Sequence, residues 1–529
     1  MKNLRTLTFY PAFVCMLITV YFTVQDKAFF IETTSAINNL IIDDLSWLFS
    51  LSAVLAVMLV VYVFFAPISR VKIGGEEATP ILSPFKWFAV SLTTVIAMGI
   101  LFWSVAEPIV HYYNPPEFLN IEPHSAAAVR FSMSTIFVHW TITPYCIYTV
   151  SSLVFALALY NLKMKFSIGS MLRPFVGKLI DGPVGDAIDG LALFAVVMGM
   201  SATLTSGILV IGDGLTGTLG LATSPVMYGM IALVIIGTAL FSASTGLHRG
   251  IQILSRINTW FYFGAIAFIF LLGPTSYILS LGVETFGIYL SEFFQRNMVT
   301  GASGHSQWPG WWTVAFFASW FAWAPLTSLF LGKIARGYTV RQFIIVNVIL
   351  PCLFGFFWFS TFSGTSIYLD DLLGGELYRA YQETGFASVI YVLFDQFPLS
   401  SVVSTLFVLV CFITFITAAD SNTDAIGGLC TEGTDAEHLT SPLWIKAFWG
   451  LSIAFVAWIS ASYIGVDAVK MLFNLAGLPG MLIVIGAGLS LIKLISMVKV
   501  VDGKAILEPA TEPDTATNVT RNIASLFGK

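Results

Sequence analysis

The stretch His139-Trp140-Thr141-Ile142-Thr143-Pro144-Tyr145-Cys146-Ile147-Tyr148 lies inside an apolar run that extends from 129 to 160. About 20 apolar residues suffice to cross a bilayer, so a run of roughly 32 has to tilt or bend. Pro144 has no N–H to close the helical ladder and frees the carbonyl four residues before it. Unpaired backbone at membrane depth is tolerated where it faces protein or a cavity. At about 100° per residue, Trp140, Tyr145 and Tyr148 fall in an arc of about 140°. The stretch therefore predicts an interrupted membrane helix with aromatic rings beside its break.

Outward from this segment, further apolar runs recur near 7–24, 47–69, 87–106, 188–212, 225–243, 257–280, 310–332, 340–363, 399–419, 443–462 and 474–496. With 129–160 they make twelve expected spans. Hydrophobic residues form 57% of the 529, charged residues only 10%, and the mean hydropathy is +0.84. Soluble domains carry about a quarter charged residues, so the composition places the chain in a lipid bilayer. Period-2 alternation is absent, which argues for helices over a barrel. The run 7–24 has no small-x-small cleavage site and reads as a first helix, not a signal peptide. Net charge of −5 excludes a nucleic-acid binder. Cys15, Cys146, Cys352, Cys411 and Cys430 are scattered without disulfide or zinc spacing.

Charge placement orients the chain. With the N-terminus inside, all but five of the 25 Lys and Arg fall in cytoplasmic segments, the exceptions being Lys27, Arg130, Arg296, Arg379 and Lys470. That bias follows the positive-inside rule and puts both termini in the cytoplasm, with 420–446 as an acidic inner loop. Lys333 and Arg336 read as anchors of the loop after the eighth span. Asp213 and Asp420 read as solvated charges near span ends.

Enzyme motifs are missing. Gly212-Asp213-Gly214-Leu215-Thr216-Gly217 spells a dinucleotide fingerprint, but it follows a membrane helix instead of a strand and reads as a loop. There is no Walker loop, zincin helix or nucleophile elbow, and the six histidines form no pair at helical spacing. The chain reads as a non-enzyme without a cofactor.

A second aromatic cluster, Phe316-Phe317-Ala318-Ser319-Trp320-Phe321-Ala322-Trp323-Ala324-Pro325, lies in the eighth span. Trp320 and Trp323 share a helix face at i, i+3, and Pro325 marks a second expected interruption. Rings at this depth are not headgroup anchors; they either pack against neighbours or line a ligand site. A methylated ammonium cannot lose a proton and is weakly hydrated. Each aromatic face attracts it by about 0.5–2 kcal/mol, so a few rings hold such a cation without a carboxylate.

At Phe102-Trp103-Ser104-Val105-Ala106-Glu107-Pro108, His139-Trp140 through Tyr148, Trp320 to Pro325, Phe330-Leu331-Gly332-Lys333-Ile334-Ala335-Arg336-Gly337 and Thr417-Ala418-Ala419-Asp420-Ser421, the sequence resembles the betaine/choline/carnitine transporter (BCCT) family. The resemblance runs from about Phe13 to Val498. It implies an all-α membrane protein of leucine-transporter-like architecture, with twelve transmembrane helices and two inverted five-helix repeats (spans 3–7 and 8–12). The corresponding segments are 1–86 (two peripheral helices), 87–280 (first repeat), 281–309 (outer connection), 310–496 (second repeat) and 497–529 (cytoplasmic tail). It further implies a homotrimer in a bacterial-type inner membrane, and import of a small methylated amine coupled to a cation. Sodium is the first expectation and the proton the alternative.

Carried over by position, the substrate box falls on Trp140, Tyr145, Tyr148 and Trp320, with Trp323 one turn on and Gly99 in the third span. Thr417, Ala97 and Thr203 are the candidate ion-binding positions. The chain also departs from the family pattern. Tyr145 and Ser319 stand where members more often have Trp. Of the usual glycine-rich break only Gly99 survives in Val95-Ile96-Ala97-Met98-Gly99. Ala418 replaces a serine beside Thr417, removing one hard oxygen donor. Asn258 and Thr327 stand where sodium-independent exchangers carry Arg and Met. These departures leave open a substrate exchanger, an amino-acid transporter of the same architecture, and a ligand-binding channel or sensor.

Overall fold

The computed structural model describes residues 4–96, 99–245, 248–432 and 442–507, and they are almost entirely helical. Ala97 and the tail from 508 onward lie outside the described residues. Among those described, nine helices are long and apolar enough to cross a membrane. A tenth is added if Arg256–Leu272 and Thr275–Ser291, bent by 108°, count as one span. The segments 7–24 and 87–106, counted as crossings from sequence, do not meet that measure; the latter falls in two helices, Pro84–Ile96 and Gly99–Tyr113. Outward-facing side chains such as Phe65, Trp260, Leu271 and Val283 are more than 70% exposed. Large apolar groups bared on this scale call for lipid.

Several boundaries differ from the sequence expectation. The second helix begins at Lys27 and runs 39 residues to Phe65, its N-terminus capped by the Asp26 carboxylate accepting from Phe29 N at 3.0 Å. The seventh stops at Leu272, because Pro274 supplies no N–H and the chain turns there. The tenth continues to Leu429, and the twelfth starts at Val466, two turns before its apolar run. In the tenth, Asp420 is consequently a buried residue within the helix, not a solvated end. The segment Gly212–Gly217 is no loop: the fifth span stays helical from Pro183 to Leu219 and includes Asp213. Its glycines allow close packing, since a Cβ at Gly212 would lie 2.6 Å from the Tyr228 ring.

The two proline sites behave differently. The fourth span breaks at Thr141 (φ −123°, ψ −112°), between helices Ala126–Trp140 and Ile142–Tyr160. That position follows from Pro144, which leaves the Trp140 carbonyl without its partner. Pro325, by contrast, sits within one continuous helix, Ala315–Lys333, preceded by a π turn at Gly310–Val314. The carbonyl it frees belongs to Phe321, and Gly480 of the last helix packs directly on that oxygen. A Cβ at Gly480 would come inside 3.0 Å of it, and one at Gly477 would lie 2.6 Å from Ala318. Around Pro325 the helix continues without a break.

This close approach sets the core. Ala315–Lys333 is wedged between Ile142–Tyr160 and Val466–Ser496, with Pro183–Leu219 closing the other side. Some buried hydroxyls bond within their own helix, as in Ser328 Oγ donating to Ala324 O at 2.8 Å, and others across helices, as in Ser363 Oγ donating to Ser104 O at 2.7 Å. On the expected cytoplasmic side, backbone bonds tie 71–73 to 337–340. The Tyr160 hydroxyl donates to Lys333 O at 2.7 Å, so the loop after the eighth span is fastened to the fourth. After Ser496 a small hairpin forms from Val498–Val501 and Lys504–Leu507.

Candidate functional site

The break at Thr141 places Trp140 at the end of one half-helix and Tyr145 and Tyr148 on the next, so the three do not share one continuous helical face. Trp320 unites them. Its indole Nε1 donates 2.8 Å to the carbonyl of His139, just before the break. Its ring meets Trp140 at 5.5 Å and 80°, Tyr145 at 6.0 Å and 63°, and Tyr148 at 5.1 Å and 65°. These are the edge-to-face arrangements that aromatic quadrupoles favour.

Trp140 is fixed from two sides. Its Nε1 donates to Glu107 Oε2 at 2.9 Å. The far edge of its ring fills the space over Gly99, where a Cβ would fall inside 3.0 Å of two ring carbons. Glu107 is fully buried, and its other oxygen is 2.5 Å from His139 Nδ1. His139 Nε2 bonds in turn to Thr313 Oγ1 at 3.1 Å. A carboxyl group so divided between an imidazole and an indole is a rigid support for the second ring. His111, one turn from Glu107, brings Nε2 to 3.5 Å of Oε1 and sets its ring edge-to-face with Trp312, the centroids 4.4 Å apart. The three potential ligand atoms of Glu107, His111 and His139 lie within 4.8 Å of one another. Glu107 and His111 stand at i, i+4 in the sequence, but His139 is 32 residues from Glu107 and joins them only through the fold.

Gly99, Trp140, Tyr148, Trp320 and Trp323 border one partly open cavity among the helices. Tyr145 does not line it; that ring is 1% exposed and packs behind Trp320. Trp103, Phe316 and Lys470 do line it and were not anticipated. Lys470 in particular corrects its sequence placement on the outer surface. The last helix begins early enough to carry it inside, where it is the one charged side chain among the described lining residues.

Of the candidate ion positions, Ala97 lies outside the described residues, and Thr203 and Thr417 each hold hydrogen bonds of their own. Thr203 borders the cavity, accepting from Trp323 Nε1 at 3.2 Å and donating to Gly199 O at 3.0 Å. Thr417 donates to Thr414 O, 2.9 Å away on its own helix. Asn258 reaches the same tenth span differently, donating to Thr414 Oγ1 at 2.6 Å.

The model of the betaine/carnitine/choline family transporters matches residues 7–499. The chain belongs to this family. It is thereby an integral multi-pass membrane protein of a transporter family. A probable glycine betaine transporter of Desulfitobacterium hafniense (strain Y51) is 30% identical over 414 residues, 78% of this chain and 81% of that one. An ectoine/hydroxyectoine transporter of Virgibacillus pantothenticus is 29% identical over 82% of this chain and 85% of its own. A high-affinity choline transport protein of Escherichia coli (strain K12) is 28% identical over 82% and 63%, respectively.

Proposed function

We propose that this family member is a secondary active transporter that imports a small quaternary-ammonium or related methylated osmolyte by alternating access, coupled to a cation. The observation that carries the reading is the convergence of Trp140, Tyr148 and Trp320 on one cavity, with Trp320 tied to the broken fourth span through His139 O. Those rings attract a methylated ammonium electrostatically. Each contributes about 0.5–2 kcal/mol when desolvated, enough with three faces for micromolar-to-millimolar binding after ordering costs. Trp320 bridges the fourth and eighth spans, so an occupied cage favours the conformation in which the two are drawn together.

The same proposal includes twelve crossings in two inverted repeats, with spans 3–7 and 8–12 rocking about the cavity. Close packing of Ala315–Lys333 on Ile142–Tyr160, one helix from each half, supports it. Sodium is the proposed coupling ion, with Thr203 and Thr417 among its oxygen donors. The inner-membrane location with both termini cytoplasmic rests on the charge bias, and trimeric assembly on family likeness. Uptake into proteoliposomes, with sodium and proton gradients imposed separately, tests the coupling. Trp320→Ala tests the cage: betaine uptake should need at least tenfold more substrate while membrane expression is retained. Unchanged uptake would remove the rings from the mechanism.

A further inference from the structure

Lys470 stands on the cavity wall opposite in chemistry to everything else there. The other lining side chains are aromatic, hydroxyl-bearing or apolar. Its Nζ lies 3.8 Å over the face of Trp312 and 5.9 Å from the Phe386 ring. Among the described residues, no carboxylate oxygen comes within ion-pairing reach of it. The nearest candidate in the cluster, Glu107, already has its two oxygens engaged by His139 and Trp140. Lys470 is half-buried, and its acidic neighbours, Asp467 one turn earlier on the same helix and Glu107, form no ion pair with it, so its ammonium is open to an anion that enters the cavity. The π face of Trp312 covers one side of the ammonium.

We propose that Lys470 is the anion-binding group of this cavity and that it sets a preference for ligands that carry a carboxylate besides the methylated ammonium held by the Trp140–Trp320 cage. The inference rests on the cage reading above and narrows it. The same charge selects by repulsion as well as attraction. A bare cation such as choline brings a second positive charge into a chamber that has no acidic lining residue to offset Lys470, and discrimination of this kind needs an unfavourable contact with the wrong ligand. A charge-assisted contact to a carboxylate is among the stronger hydrogen-bonded interactions. Its removal corresponds to about a 10- to 100-fold loss in affinity.

The test uses the full-length protein, purified in detergent, with binding read by intrinsic tryptophan fluorescence. For the unaltered protein, glycine betaine should bind about 10- to 100-fold more tightly than its methyl ester, which keeps the trimethylammonium group and removes the negative charge. Choline should be weaker still. Lys470→Met should erase the difference between betaine and its ester and improve choline binding. Lys470→Arg should preserve the preference for betaine. If betaine and its ester bind equally to the unaltered protein, the inference fails, whatever the variants do. An unchanged betaine-to-choline ratio in folded Lys470→Met also overturns it. If the unaltered protein binds none of the three ligands, the cage reading itself falls and takes this one with it, a result distinct from loss of selectivity alone.

Discussion

Gly99→Ala is the sharpest probe of how the site is held. The added Cβ would fall inside 3.0 Å of Trp140 Cη2 and Cζ3, so the ring must retreat by about 1 Å to reach ordinary contact. It is not free to do so, because Nε1 is fastened to buried Glu107 at 2.9 Å. Overpacking of this sort costs about 1–3 kcal/mol of stability. If the indole swings off the cavity, the loss of one cation–π face weakens ligand binding by about 2- to 30-fold. Thermal melting of the detergent-solubilised protein and fluorescence titration with glycine betaine measure the two effects. Trp140→Phe supplies the control, since the smaller ring vacates part of the contested space. Gly99→Ala should then cost less in the Trp140→Phe background than in the parent, a coupling read from the double-mutant cycle. Equal losses in both backgrounds, or none in either, would refute the steric argument.

Other expectations follow from neighbouring contacts. Glu107→Ala leaves the Trp140 indole N–H and the His139 Nδ1 without their buried partner, at about 1–3 kcal/mol each. Melting temperature and betaine affinity should both fall, with Glu107→Gln between Ala and the parent. Gly480→Ala forces a Cβ against the backbone carbonyl of Phe321, which no side-chain rotation relieves. Size-exclusion chromatography should show loss of the monodisperse folded species, and a normal profile would contradict the packing described. Arg5 pairs with Asp186 and Asp189, the latter at 2.5 Å, and donates to Leu429 O at 3.1 Å. Arg5→Ala removes the cation facing fully buried Asp189, which keeps only its hydrogen bonds from Ser167 Oγ and Gly169 N, and should lower stability by up to about 3–5 kcal/mol. A melting curve matching the parent would show the tether to be dispensable.

The aromatic positions show where local pattern suffices and where it does not. Trp320 and Trp323 share a face because of helical spacing alone, and both border the cavity. Tyr145 has the same local credentials as Tyr148, yet neighbouring helices bury it behind Trp320. Pro144 and Pro325 are equal in sequence, but only the first breaks its helix. Each freed carbonyl has a distant glycine beside it, Gly355 at Trp140 O and Gly480 at Phe321 O, so neither the prolines nor these glycines in the sequence tell the two sites apart.

Composition and hydropathy determined that this chain is a helical membrane protein and roughly where its apolar helices run, while its motifs carried the resemblance to its family. Those properties are local: each depends on about 20 consecutive residues meeting lipid or on side chains one turn apart. Tertiary structure decided that Glu107, His111 and His139 meet, that Trp140 rests on Gly99, and that Lys470 faces the cavity instead of the outer surface. These are long-range outcomes of helix packing and of where a helix starts, and hydropathy carries no record of either. A lysine near a span end looks the same in sequence whether its ammonium points to water or to the place where a substrate carboxylate would sit.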